Sequence, residues 1–315
     1  MFVPKLAYKL RKDIATVFYD GRVVPRHTEY EHFYEDTEDG EIYPSVTKRT
    51  GILEKKHLKQ WAANRAVDSL LEFLASNSSY EPMELAEAAH KARDAHNAAL
   101  NQASTWGTDA HDMVDHYVRL WIAGKRPRDI RELAPENTSG EALSAAIAAA
   151  QFFDDYALFP IVSEKKLVSK KGKYGGTLDT LFLIGEVVKG KEGSDGERDW
   201  EDYGKDCIQC KNTGRVEKLK ILLLDLKTSN QVLNNFTYAN QVAAYSEALR
   251  EMVGIKCDMH WILHVNKQRP KYDIAVITNI KRETKGYKLM NELAQYTESV
   301  GDALEPLHKK KVIKL

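Results

Sequence analysis

Hydrophobic and polar positions change period along this chain. Between 54 and 158 the period is helical: Leu58, Trp61, Ala62, Ala66, Leu70, Leu71 and Leu74 recur at spacings of three and four. Ser76-Asn77-Ser78-Ser79 interrupts that pattern. Residues 82–103 predict a helix rich in alanine and charge, with little bulky apolar surface. Such a helix suits an exposed arm or rim better than a deep core. A third helix is predicted from about 108 to 123, closed by Gly124 and followed by the basic loop Lys125-Arg126-Pro127-Arg128. A fourth, from about 140 to 158, is stopped by Pro160. From 161 the period falls to two. Residues 161–169 and 174–184 predict a hairpin around Lys170-Lys171-Gly172-Lys173. A strand over 219–227, a helix over 235–252, strands over 259–265 and 272–278 and a helix over 282–303 follow. Residues 1–53 read as β-rich, with a hairpin over 31–45 turning at Asp39-Gly40.

That order predicts an α/β protein: a mixed-sheet core at 159–303 behind a helical section at 54–158. A charged, glycine-bearing segment, 185–217, is inserted in the core, and 304–315 is a basic tail.

The strand Ile221-Leu222-Leu223-Leu224-Asp225-Leu226-Lys227 is the most informative. Side chains alternate along a strand, so Asp225 and Lys227 share a face and Leu226 points to the other. Opposite charges at the end of a buried strand are either a strand-end salt bridge or part of a site. Asp179 interrupts another apolar strand, Leu178 to Leu183. If the two strands are neighbours, Asp179 and Asp225 face each other and require a cation between them. Hard divalent ions are held by one or two carboxylates with water and phosphate oxygens. Lys227 would then orient a water or neutralise a phosphate. Gln241 and Tyr245 share a face of the next helix by their i,i+4 spacing. His111, after Trp106-Gly107-Thr108-Asp109-Ala110, is either a metal ligand or a core or capping residue. Asp112 and His116 are expected on the solvated face.

Taken together, Gly107 through His111, Gly176-Thr177-Leu178-Asp179, Asp225-Leu226-Lys227-Thr228-Ser229 and Gln241-Val242-Ala243-Ala244-Tyr245 resemble the motifs of RecB-type nucleases of the PD-(D/E)XK superfamily. The group that includes the phage exonucleases and the mitochondrial genome maintenance exonuclease is the most similar; Tyr43-Pro44-Ser45-Val46-Thr47 before the Trp61 helix resembles its front section. The resemblance runs from about 43 to 280. It implies a restriction-endonuclease-like core and a Mg²⁺- or Mn²⁺-dependent DNA exonuclease, the alternatives being an endonuclease or nickase, or a non-catalytic DNA-binding subunit of a recombination or repair complex. Asp179, Asp225 and Lys227 are the implied catalytic residues. The implied metal ligands are Asp179, Asp225, His111 and the Leu226 backbone carbonyl. Gln241, Tyr245, Thr228 and Ser229 are the implied substrate-binding or supporting groups, and Glu164 matches an acid found in some relatives. Leu178 stands where proline is common. DNA is the implied partner, with a recombination protein as a second one, in a phage-infected or bacterial cytoplasm.

Composition narrows this further. The 315 residues carry 46 Lys+Arg and 46 Asp+Glu, which argues against binding nucleic acid by bulk charge but not against a local basic groove. Lys165, Lys166, Lys170, Lys171 and Lys173, with Lys125, Arg126 and Arg128, are candidates for a DNA track or simply a solvated face. Trp106 and Tyr174 are either base-stacking or core residues. No apolar run approaches a membrane span and no signal-peptide core is evident near Met1, so no membrane partner and a cytoplasmic location are expected. Three cysteines do not make a disulfide framework, and their positions do not fit an iron–sulfur cluster. Cys207, Cys210, Cys257 and His260 offer the donors of a structural Zn²⁺ site. Alternation along 257–260 favours free thiols instead.

Overall fold

The computed structural model describes residues 5–28, 32–53, 56–188, 215–228 and 236–303. Two sheets organise them. Strands β1 (Val23–His27), β2 (His32–Asp36) and β3 (Glu41–Pro44) form an antiparallel sheet in sequence order. Strands β4 (Leu158–Ser169), β5 (Tyr174–Val188), β6 (Arg215–Lys227), β7 (Met259–Val265) and β8 (Tyr272–Val276) form a mixed sheet, also in sequence order. Within it only β6 and β7 are parallel. A parallel neighbour demands a crossover, and helix α6 (Phe236–Val253) lies between those strands in the chain.

Alternation along β6 sends its leucines to two cores. Leu223 packs in a cluster with Leu181 and Leu183 of β5, Val242 and Leu249 of α6, and Tyr287 of α7 (Ile280–Ala303). Leu222, Leu224 and Leu226 face a second cluster with Phe182, Trp121 and Phe153. The latter two come from α4 (Pro82–Ile122) and α5 (Gly140–Asp155). The sheet is therefore covered on both faces, as its nearly unbroken apolar strands require.

Three sequence expectations change. Residues 5–17 form a helix, α1 (Lys5–Val17), not β structure; Ala7, Leu10 and Ile14, spaced three and four apart, are buried against the main core. Helices expected at 82–103 and 108–123 are one continuous helix, α4, of 41 residues, about 60 Å long. Gly107 does not break it. A glycine inside a helix costs only about 1 kcal/mol, and a Cβ there would lie 3.0 Å from Thr228 Oγ1, so its smallness lets α4 meet the end of β6. The hairpin expected at 31–45 is β2–β3, but β1 joins it as a third strand, and the short helix α2 (Val46–Thr50) follows.

Helix α3 (Lys56–Ser76) packs on the first half of α4. None of its described residues is fully buried, and the buried positions of α4 before Gly107 are Ala88 and Ala92. Small residues let two helices approach closely but leave no deep core, so this pair forms a thinly buried arm.

Stability should be distributed accordingly. Phe182→Ala, in the fully buried cluster, is expected to lower unfolding free energy by about 3–5 kcal/mol. Leu71→Ala on the arm, where the side chain is exposed, should change it by less than about 0.5 kcal/mol. Denaturant titration of both variants measures the difference.

Candidate metal centre

The strand register builds a row of carboxylates. The last paired positions of β5 and β6 are Thr180 and Leu224, and one residue beyond them stand Asp179 and Asp225. On the other side of β5, Ser163 pairs with Thr180 and Lys165 with Leu178, which leaves Glu164 opposite Asp179. Three neighbouring strands thus place Glu164, Asp179 and Asp225 side by side. Glu164 has φ of 45°. A non-glycine residue in the left-handed region costs roughly 1–2 kcal/mol, and such strain clusters where a side chain must be aimed.

Helix α4 brings in His111. Ligand atoms of His111, Glu164 and Asp179 all lie within 4.8 Å of one another. His111 Nδ1 is 3.9 Å from Glu164 Oε1. Burial works against its protonation, but Glu164 and the charge of Asp179 outweigh this and raise its pKa. Asp179 is shifted upward by desolvation, against the pull of His111 and Lys227, and its Oδ2 accepts a 2.6 Å hydrogen bond from Leu226 N. One nitrogen and two carboxylates, converging on a common point, fit a divalent cation.

Asp225 is 1% exposed, and Lys227 Nζ lies 2.6 Å from its Oδ2. Apart from this ion pair, neither buried Asp225 oxygen has a hydrogen-bond partner. A buried carboxylate in that condition is costly unless further positive charge is near. Burial raises its pKa, opposed by Lys227. Desolvation pulls the Lys227 pKa down, but Asp225 and Asp179 more than offset it and hold the ammonium protonated. Its Nζ also reaches the Leu226 carbonyl at 3.4 Å and stands 5.2 Å from the Tyr238 ring centre.

The wall behind the row comes from α6. Gln241 Nε2 donates to Tyr245 Oη at 2.9 Å. Tyr245 is buried against Gly176, where a Cβ would come within 2.5 Å of the ring. Thr228 sits at the end of β6 against Gly107. Tyr34, from the three-stranded sheet, closes another side: its hydroxyl is 3.0 Å from Thr177 Oγ1, and its pKa is raised by burial and by the charges of Glu164 and Asp179. Nothing local marks Tyr34 in the sequence, because its place depends on the docking of one sheet against another. Tyr238 carries no local signal either.

The structure thus gathers Glu164 with His111 and Asp179, while Asp225 is engaged by Lys227 one strand away. Ser229, Cys207 and Cys210 lie outside the described residues. Lys170 pairs with Asp36 and Asp39, and Lys173 with Glu41. Lys171 donates its backbone N–H to Glu251. Arg126 lies 3.9 Å from the Trp121 ring centre and pairs with Asp154. Tyr174 is buried and donates to the Ala244 carbonyl. These groups brace the fold. Asp112 and His116 are exposed, as expected. A cleft of about 490 Å³ adjoins Glu164 and is lined by Arg11, Arg119, Lys165 and Lys166 among others.

Cys257 is buried, and burial pushes its thiol up to about 12. His260 Nε2 lies 2.9 Å from Ser246 Oγ. No family model matches this chain, and no curated protein matches it.

Burial lowers the His260 pKa to about 4, below the usual value of 6.5. The neutral ring therefore favours the folded state fully above about pH 6.5, and this contribution is lost as pH falls towards 4. Urea denaturation at pH 7 and pH 4.5 should show the native chain losing on the order of 2 kcal/mol more than His260→Gln.

Proposed function

We propose that this protein is a metal-dependent nuclease of the RecB-type PD-(D/E)XK superfamily, with a restriction-endonuclease-like core, and that it hydrolyses DNA from strand ends. The observation that carries the reading is the row Glu164–Asp179–Asp225 across three adjacent strands, met by His111 from one helix and by Lys227 beside it. The order α5–β4–β5–β6–α6–β7, with its mixed sheet, agrees with the core that the sequence motifs imply.

His111, Glu164 and Asp179 would hold Mg²⁺ or Mn²⁺, with Asp225 and the Leu226 carbonyl next to them. Such an ion polarises a scissile phosphate and lowers the pKa of a bound water. Lys227 is cationic, so its part is to neutralise charge building on the phosphate rather than to remove a proton. Asp225 holds the ammonium in place. Gln241 and Tyr245 back the site rigidly, with Tyr245 fixed against Gly176. Arg11 and Lys166, in a cleft where Arg119 and Lys165 are paired to Asp115 and Asp20, supply an approach for a polyanion that the zero net charge of the whole chain does not.

End-labelled linear and circular DNA, incubated with Mg²⁺, Mn²⁺ or EDTA, tests this reading. Turnover of linear DNA with either ion, and none in EDTA, is expected. Lys227→Ala should lower the rate by about 100- to 1,000-fold or more, with the circular dichroism unchanged. Asp179→Asn and Glu164→Gln should weaken the response to the ion. Cutting of circles would convert the assignment to an endonuclease. Full activity in a folded Lys227→Ala protein, or DNA binding with no metal-dependent turnover, would overturn it.

A further inference from the structure

The hairpin that carries Tyr34 also carries two histidines outside the carboxylate row. His27 closes β1, His32 opens β2, and they are direct cross-strand partners. Their Nδ1 atoms lie 2.5 Å apart, with ring centres 4.6 Å apart and ring planes at 77°. The separation of the centres is close to the nitrogen–nitrogen gap plus two ring radii. Both nitrogens therefore sit between the rings and aim at each other. Two lone pairs cannot face at that distance without an electrophile between them, either a proton or a metal ion.

We propose that His27 and His32 form a chelating pair for a borderline divalent transition cation of the Zn²⁺ class, completed by water. Imidazole donors suit Zn²⁺, Cu²⁺ and Ni²⁺, whereas Mg²⁺ and Mn²⁺ favour oxygen. Cross-strand partners hold their Cβ atoms about 4.5–5.5 Å apart, so the sheet fixes the spacing before any ion arrives. Tetrahedral zinc–nitrogen bonds of about 2.0–2.1 Å require the two nitrogens to part to about 3.3 Å and the rings to tilt until both lone pairs meet one ion. Both rings are exposed and free to make that adjustment by a small side-chain rotation. Arg26, the neighbouring cation, points to the other face and pairs with Glu35.

Location gives the site its interest. Alternation puts His27 and His32 on the same face as Tyr34, two residues or about 7 Å along the strand. Tyr34 in turn touches Thr177, whose strand continues to Asp179. Through Tyr34 the histidine pair is thus linked to the strand that carries Asp179. Cation binding at the pair does not depend on the hydrolytic reading.

The test is calorimetric titration of the metal-stripped full chain with Zn²⁺ in excess Mg²⁺. The native protein should bind one more equivalent of Zn²⁺ than His27→Gln or His32→Gln, and Asp179→Asn should retain that equivalent. Both histidines are exposed and are replaced separately, so each variant checks the other. As a second measurement, Zn²⁺ should protect His27 and His32 from diethyl pyrocarbonate, read by mass spectrometry. Equal stoichiometry in the native protein and both histidine variants, or unchanged modification with Zn²⁺ present, would show that the pair shares only a proton and would overturn the proposal.

Discussion

Carboxylates on adjacent strands repel one another, and burial strengthens the repulsion. Glu164, Asp179 and Asp225 are brought together by the register of β4, β5 and β6, which the apolar residues of those strands set for their own reasons. The resulting concentration of negative charge can persist only with positive charge among it. Lys227 answers Asp225, and His111 with its raised pKa answers Glu164 and Asp179. Much of the surrounding architecture keeps those groups from moving apart: the close approach of α4 at Gly107, the packing of Tyr245 on Gly176, and the cover supplied by Tyr34. Stability is spent here for geometry.

The core was largely legible in the sequence because strand alternation is a local signal. Asp225 and Lys227 do share a face, the hairpin around 170–173 is present, and β7 has the expected limits. The site residues visible in advance were those lying in short motifs on single elements. Glu164 was less visible, since its aim comes from a left-handed backbone in a strand whose register also shifts between Pro160 and Val162, which composition does not reveal. Tyr34 was invisible because its neighbours are more than a hundred residues away. Helix α1 was missed for a different reason: three small apolar contacts in a charged segment give a weak periodic signal until a core is present to receive them.

The lysines around the first core hairpin illustrate a related limit. In the sequence they form a basic run. In the fold Lys170 and Lys173 reach back to Asp36, Asp39 and Glu41 on the small sheet and tie it to the large one. Arg11 and Arg119, separated in sequence, meet Lys165 and Lys166 in one cleft beside Glu164, where Asp115 and Asp20 pair with Arg119 and Lys165. A charge run and a charged surface are different objects.

The unbroken course of α4 has a mechanical meaning. Its backbone hydrogen bonds make the arm and the segment bearing His111 a single lever, with its support where Gly107 rests on Thr228 and Lys267 Nζ holds the Ala103 carbonyl. A tilt at the far end would reach the imidazole as a rotation of the same helix.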